Sequence, residues 1–219
     1  MIIISIEGNI GSGKSTIINK LVEEYDGKVR GITEDVGNWN LLGPMYLQPK
    51  IFAFPFQMQV LISQYNTMKH IINNTTYETL NDDTIIVIER SPWSSYNVFV
   101  KMMVNDGILN KFEHDAYKKF YHYIMDSLYS GVFNTIYLKT SPDVCMKRIS
   151  QRGRKEELNM SRTYIEKLNN YHEMVLSSSS SSSWSPNDSN NHKVYEIDGN
   201  GCNEDIMIQV FKVIDEFTS

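Results

Sequence analysis

Gly8-Asn9-Ile10-Gly11-Ser12-Gly13-Lys14-Ser15-Thr16 follows the apolar run 2–6 and leads into Ile17-Ile18-Asn19-Lys20-Leu21. These residue types at this spacing satisfy G-x-x-x-x-G-K-[ST] between a strand-like and a helix-like segment, the context in which the pattern has chemical meaning. Gly8, Gly11 and Gly13 let the backbone turn its N–H groups inward around an anion, since glycine tolerates positive φ and allows close approach of the main chain. Lys14 would reach the β- and γ-phosphates of a nucleotide and the Ser15 hydroxyl would bind Mg²⁺, with the helix N-terminus adding partial positive charge. A glycine-rich strand-to-helix turn that binds nothing is the bland alternative; lysine, hydroxyl and flanks all in register weigh against it.

A second constellation is Ile85-Ile86-Val87-Ile88-Glu89-Arg90-Ser91, an apolar strand ending in a carboxylate and a guanidinium. Ligands of a parallel sheet gather beyond the C-terminal strand ends, so Glu89 and Arg90 should share a crevice with the phosphate loop, Glu89 toward a metal and Arg90 toward a phosphate. Glu34, after the strand-like run 29–33, has the same kind of position and could accept a proton from an acceptor hydroxyl. The basic run Lys147-Arg148-Ile149-Ser150-Gln151-Arg152-Gly153-Arg154-Lys155-Glu156-Glu157 places Arg148 and Arg152 on one helix face, with Gly153 as an exit. Beside a phosphate site it reads as a lid whose arginines neutralise charge and whose closure excludes water; by itself it would be a solvated helix end.

The elements that must position these groups alternate short β-branched runs with longer helical patterns, which predicts an α/β fold with a parallel sheet and helices on both faces. Five strands are expected at 2–6, 29–33, 85–88, 135–138 and 194–197. Between the second and third, 40–76 should form two helical pieces, with Pro49 in a first turn and Pro55 breaking or kinking the helix after it. Ala116, Phe120, Tyr123, Ile124 and Leu128 recur at helical spacing and predict an amphipathic helix over 113–129, apolar toward the core or a second copy. Ser141-Pro142-Asp143 is a helix start, and that helix should run toward Gly153. The serine run 177–183, continuing through Trp184 to Asn191, cannot bury enough apolar surface to fold alone and reads as a flexible Ser/Asn-rich insertion at about 177–192.

Composition limits the possibilities. A chain of 219 residues, 41% apolar and 21% charged, suits one α/β domain spanning 1–219. A formal net charge of −5 gives no basic footprint for nucleic acid, so small molecules are the expected partners. Cys145 and Cys202 lack C-x-x-C spacing and fit a reducing compartment. No basic leader and no apolar run of membrane-spanning length is visible, so a cytoplasmic setting with no membrane partner is expected. His70, His114, His122, His172 and His192 show no metal-ligand pairing and each reads as a surface or loop histidine.

The ordered set Gly8 to Thr16, Thr33-Glu34 with Trp39, Tyr46, Pro55-Phe56-Gln57, Glu89-Arg90-Ser91 and Arg152-Gly153-Arg154-Lys155-Glu156-Glu157 resembles the deoxyribonucleoside kinases, the family of deoxycytidine, deoxyguanosine and mitochondrial-type thymidine kinases and the insect multisubstrate enzyme. The resemblance runs from the first strand to about Tyr164, with a weaker echo at Asp198-Gly199. It implies a P-loop three-layer sandwich with an Arg-rich lid, transferring the γ-phosphoryl group of ATP, with Mg²⁺, to the 5′-hydroxyl of a deoxyribonucleoside, in a homodimer.

By the same resemblance Glu34 is the general base, Arg90 its neighbouring arginine and Glu89 the Mg²⁺-associated carboxylate. Gln57 pairs with the base edge, next to Phe56, while Trp39 and Phe99 wall the ring. Tyr46 and Glu157 bind the sugar 3′-hydroxyl, and the Tyr46 ring disfavours a ribose 2′-hydroxyl. Arg148 stacks on the donor adenine, Arg152 and Arg154 are the lid arginines, and Asp198 falls to the donor side.

Departures from the family pattern carry information. Gln64 and Ser95, with Val60, stand where the deoxycytidine and deoxyguanosine kinases place an Arg–Asp pair, which leans toward a thymidine-accepting pattern; Gln64 can also donate and accept toward a purine. Leu158-Asn159-Met160-Ser161-Arg162 replaces a proline-containing turn after Glu157. A nucleoside monophosphate kinase of the thymidylate kinase type would share the loop and the lid but needs a site for an acceptor phosphate. A nucleotide-dependent switch would need an N-K-x-D guanine reader, which the sequence lacks.

Overall fold

The computed structural model describes residues 2–74, 84–128, 133–158, 160–177 and 193–218. Its five strands, β1 (Ile2–Gly8), β2 (Val29–Ile32), β3 (Ile85–Glu89), β4 (Phe133–Lys139) and β5 (Val194–Asp198), form one parallel sheet in the order β2-β3-β1-β4-β5. Each expected strand is present, with ends shifted by two residues at most. Placing β1 at the centre with β3 and β4 beside it sends the chain off β1 and β3 at one edge, where Ile6 pairs with Glu89 and Gly8 with Leu138. That edge is the crevice at which a parallel sheet gathers ligands.

Nine α-helical segments are described: α1 (Lys14–Glu24), α2 (Leu42–Leu47), α3 (Pro49–Asn74), α4 (Pro92–Ser94), α5 (Lys101–Asn105), α6 (Lys111–Leu128), α7 (Pro142–Arg152), α8 (Arg162–Leu176) and α9 (Asn203–Thr218). A π-helical turn, Ser95–Val100, links α4 to α5. The pleat divides the strand residues between two cores. Ile4, Ile6, Ile85, Val87, Ile136 and Leu138 pack with Ile17, Ile18 and Leu21 of α1 and Ile206, Val210 and Ile214 of α9. Ile3, Ile86, Ile88 and Tyr137 face the other way, onto Phe56, Val60 and Leu61 of α3 and Tyr117, Tyr121 and Ile124 of α6. Helices on both faces of the sheet complete the three-layer α/β sandwich.

Three local expectations are corrected. The stretch after β2 does form two helical pieces, but the break falls at Gln48, and α3 continues through Pro55. The carbonyl that loses its bond to a proline nitrogen at 55 belongs to Ile51, an exposed residue where water can satisfy it. On α6 the buried face is Tyr117, Tyr121, Ile124 and Met125, while Phe120 and Tyr123 of the expected stripe are exposed; the helix starts at Lys111, and Tyr129 lies outside the described residues. His172 is no surface histidine: it is fully buried on α8, its Nδ1–H donating to the Leu168 carbonyl at 2.7 Å, between the rings of Tyr137 and Phe99. Ile165, Leu168, His172 and Leu176 share the buried face of α8, and that spacing was the available signal.

The helix start at Ser141 is as expected: its Oγ accepts from the Val144 amide, Pro142 occupies the first turn, and Gly153 closes α7 at φ 64°. The Ser/Asn-rich stretch expected to be a flexible insertion lies, from 178 to 192, outside the described residues.

Candidate active site

A cleft of about 770 Å³, measured with its open mouth, lies over the sheet edge where β1 and β3 end. One wall comes from one contiguous segment. Ile10, Gly11, Lys14 and Ser15 line it, with Gly11 at φ 78° and Gly13 at φ 106°. A Cβ on Gly11 would lie 2.7 Å from the Cys145 carbonyl oxygen, and one on Gly8 2.8 Å from that of Leu138, so the loop is threaded where side chains do not fit. The Lys14 ammonium is buried and turned back onto its own loop, donating to the carbonyls of Asn9 (3.0 Å) and Gly8 (3.3 Å). Burial, then the positive charge of Arg90, pushes its pKa down to about 8 against the opposing pull of Glu89, Glu34 and Glu7.

Ser15 Oγ donates to the Glu89 carboxylate at 2.9 and 3.1 Å, and Lys14 Nζ lies 4.0 Å from the same group. A hydroxyl and a carboxylate facing each other at a phosphate loop are hard oxygen donors of the kind Mg²⁺ takes when phosphates complete its shell. Among the described residues no group of three or more His, Cys, Asp or Glu is gathered for a metal.

Across the cleft, Arg90 Nε donates to Glu34 Oε1 at 3.0 Å, the guanidinium carbon stacks 4.5 Å from the centre of the Phe99 ring, and Nη1 has no hydrogen-bond partner. Both charged groups are largely buried. Burial is the largest influence on Glu34 and raises its pKa, with Arg90 pulling the other way. A carboxylate poised above its ordinary range next to a guanidinium can take up a proton while the cation neutralises charge developing alongside.

The other wall is assembled from scattered elements. Trp39, Tyr46, Phe56, Gln57, Val60, Ser95, Phe99 and Glu157 all line the cleft with Glu34 and Arg90. Trp39 meets Phe56 edge-on at 5.8 Å, and buried Gln57 directs Nε2 at the Met103 sulfur, 3.7 Å away. The Tyr46 ring packs edge-on against Tyr164 at 6.1 Å, and burial raises its hydroxyl pKa well above the usual tyrosine value. Arg152 Nη2 donates to Glu157 Oε2 (2.6 Å) and Arg154 Nη1 to Glu157 Oε1 (2.9 Å), so both arginines converge on one buried carboxylate.

Other expected site residues lie elsewhere. Gln64 does not line the cleft; it stands behind Ser95, donating Nε2–H to the Ser95 oxygen at 3.0 Å and facing the Arg90 carbonyl at 3.4 Å. A Gln–Ser pair satisfies itself by side-chain hydrogen bonds, where charged side chains would have to reach for a ligand or for each other. Asp198 lies at the exposed end of β5 and accepts from the Asn200 amide, away from the cleft. Ser12, Gly13 and Thr16 line a separate small depression with Asn203 and Met207 on the outer side of the loop. Arg148 braces that side, Nη1 donating to the Ser12 carbonyl at 2.9 Å.

Four lining residues were not singled out in the sequence: Val36, Leu42, Met45 and Tyr164. Leu42, Met45 and Tyr46 stand at i, i+3 and i+4 of α2, so helical spacing around Tyr46 would have found two of them. Tyr164 follows the Ser161 cap of α8 and carries no local signal.

The deoxynucleoside kinase family model matches residues 4–215. This chain belongs to the deoxynucleoside kinase family. It is 38% identical over 178 residues to a protein of Invertebrate iridescent virus 3 named as a kinase, covering 80% of this chain and 82% of that one. A second protein named as a kinase, from Invertebrate iridescent virus 6, is 32% identical over 219 residues, the whole of both chains. Deoxycytidine kinase 2 of Gallus gallus is 30% identical over 196 residues, 79% of this chain and 73% of that one. The protein is accordingly a phosphotransferase of the deoxynucleoside kinase type, a class that draws its phosphoryl group from a nucleotide. None of its described helices is long and apolar enough to cross a membrane.

Proposed function

We propose that the protein is a cytoplasmic, single-domain enzyme that transfers the γ-phosphoryl group of ATP to the 5′-hydroxyl of a deoxyribonucleoside, feeding nucleotide salvage. The observation that carries this reading is one cleft lined at one end by Gly11, Lys14 and Ser15 and at the other by Gln57, Tyr46 and Glu157, with the Glu34–Arg90 pair between them. Positioning and charge neutralisation supply most of the catalysis in phosphoryl transfer, and this cleft has groups for both.

In this reading Glu34 accepts the proton of the 5′-hydroxyl, and Lys14, Arg90, Arg152 and Arg154 neutralise charge on the transferring group. Ser15 and Glu89 would hold Mg²⁺, which would supply positive charge to offset that of the phosphates. Gly8, Asn9, Ile10, Gly11, Ser12, Gly13 and Thr16 cradle the donor phosphates, and Arg148 and Asp198 belong to the donor nucleotide's side. Gln57 reads the base between Trp39, Phe56 and Phe99, and Tyr46 with Glu157 takes the 3′-hydroxyl.

The uncharged Gln64–Ser95–Val60 set favours a pyrimidine, thymidine foremost: Val60 and Ser95 line the cleft, and Gln64 behind Ser95 brings no charge to it. Two copies form the working enzyme, and exposed Phe112, Phe120 and Tyr123 on α6 offer the apolar face for that pairing.

A coupled assay of ADP release against thymidine, deoxycytidine, deoxyadenosine, deoxyguanosine and their monophosphates tests the whole reading. Release should depend on a nucleoside, with thymidine among the good acceptors. Dependence on a monophosphate instead would identify a nucleoside monophosphate kinase, and slow release indifferent to any acceptor would identify a switch.

A further inference from the structure

Arg90 has φ 61°, the one positive value among the described non-glycine residues. For a residue with a Cβ the left-handed region is disfavoured, and it persists where neighbouring structure over-determines it. The neighbour here is β1. The Arg90 amide still donates to the Ile6 carbonyl at 3.1 Å, extending the ladder one step beyond β3. One residue on, the Ser91 amide donates to Glu7 Oε1 at 2.8 Å and the Ser91 hydroxyl donates to the same oxygen at 2.7 Å. That hydroxyl also caps α4 by accepting from the Ser94 amide at 3.2 Å.

Glu7 itself is a charged residue fully buried in the central strand, and its other oxygen, Oε2, has no partner. A buried carboxylate is costly to keep, and its only hydrogen bonds among the described residues run to Ser91. Upstream and downstream of Arg90 the chain is thus held by adjacent residues of one strand, Ile6 and Glu7, and between those two anchors the backbone must turn left-handed. The turn sends Arg90 over the cleft, where its guanidinium bridges Glu34 and Phe99.

We propose that Glu7 is a positioning residue for phosphoryl transfer, fixing Ser91 so that the left-handed turn at Arg90 aims the guanidinium at the transferring group. This rests on the deoxynucleoside kinase reading of Arg90. The carboxylate acts through the backbone, so its effect should appear in turnover and vanish once the arginine is gone.

The test is steady-state kinetics on the full chain for Glu7→Ala, Glu7→Gln, Arg90→Ala and Glu7→Ala/Arg90→Ala, with melting temperatures alongside. Glu7→Ala should lower kcat by about 10- to 100-fold, the scale of a misplaced catalytic group, with KM for ATP within about threefold of wild type. Glu7→Gln keeps the one acceptor Ser91 needs but puts an unpartnered NH₂ where Oε2 stands. It should melt at a lower temperature and turn over within about threefold of wild type. The double variant should be no slower than Arg90→Ala.

Where Glu7→Ala does not fold, Ser91→Ala in the wild-type and Arg90→Ala backgrounds decides the same point, with a loss of about three- to tenfold expected only in the first. Full turnover in Glu7→Ala, equal damage in Glu7→Gln, multiplicative losses in the double variant, or a rise in the KM for ATP alone would each overturn the positioning role. A wild-type enzyme without nucleoside-dependent ADP release would instead overturn the reading of Arg90 on which it rests.

Discussion

The two ends of the cleft are built in opposite ways. One end belongs to a single short stretch, of which Ile10, Gly11, Lys14 and Ser15 line the cleft, and its form depends on where a Cβ cannot be placed. The acceptor end is collected from the β2 exit, α2, α3, the π-helical turn and the segment after α7, and works through side chains. On the proposed roles a backbone cradle would recognise what all nucleoside triphosphates share, whereas a wall of side chains can be altered one residue at a time. One end is therefore generic and the other adjustable, and Glu34 with Arg90 marks the seam between them.

The most damaging way to probe that seam is Glu34→Gln. On the proposed roles kcat falls by about two decades or more through loss of the general base, while ATP affinity, measured by nucleotide titration, stays roughly intact. Unchanged turnover would remove Glu34 from that role.

Gly11→Ala attacks the donor end alone. Its Cβ would meet the Cys145 oxygen at 2.7 Å and Ile149 Cγ1 at 2.9 Å, at a φ of 78°. Strain of about 1–3 kcal/mol should raise the KM for ATP about tenfold or more and leave the deoxynucleoside KM near its original value. Equal changes in both constants would show that the two ends are not independent.

The protonation of Lys14 distinguishes the ends by pH. On the proposed role the ammonium meets phosphate, and with its pKa near 8 the free enzyme loses that charge as pH rises through this value. ATP affinity, followed by titration from pH 7 to 9.5, should be flat at first and then weaken by up to about tenfold per unit above pH 8. At the acid end kcat/KM should fall as Glu34 takes up a proton at a pH above the ordinary carboxylate range. Constant ATP affinity throughout would detach Lys14 from phosphate recognition.

The mildest intervention is Tyr46→Phe, which keeps the ring and removes one hydroxyl. A lost hydrogen bond predicts a three- to tenfold rise in deoxynucleoside KM, on the order of 1 kcal/mol, and no change with a 3′-deoxy analogue. An equal rise with that analogue would show that Tyr46 does not read the 3′-hydroxyl.

The same division governs what could be read in the amino-acid sequence. Strands were legible because β-branched runs such as 85–88 announce themselves, and the phosphate loop because its parts are adjacent. The helix at Pro142 was legible from its cap, Ser141. Glu34 could be picked out by its place after a strand, whereas Gln57 and Tyr46 were visible only through family resemblance, since nothing local connects the β2 exit with residues of α2 and α3.

The features that escaped depend on tertiary surroundings. Pro55 stays helical because the carbonyl it deprives is at a solvated position; His172 is buried because two rings and an i−4 carbonyl receive it; Gln64 withdraws from the cleft because Ser95 satisfies it. Of these outcomes only the burial of His172 had a local signal, the helical spacing of Ile165, Leu168 and Leu176 around it.

The adjacency of the phosphate loop also understates what shapes it. Asn9 Nδ2 donates to the Ile165 carbonyl at 2.9 Å, the Ser12 carbonyl is held by Arg148, and Gly11 lies against Cys145. All three props come from α7 and α8, more than 130 residues further along the chain. The nine-residue motif is thus not a portable part. Transplanted onto another strand and helix it would keep its glycines and lysine but lose the scaffold that bends them, and an amino-terminal fragment ending before α7 would carry the signature without the anion-binding shape.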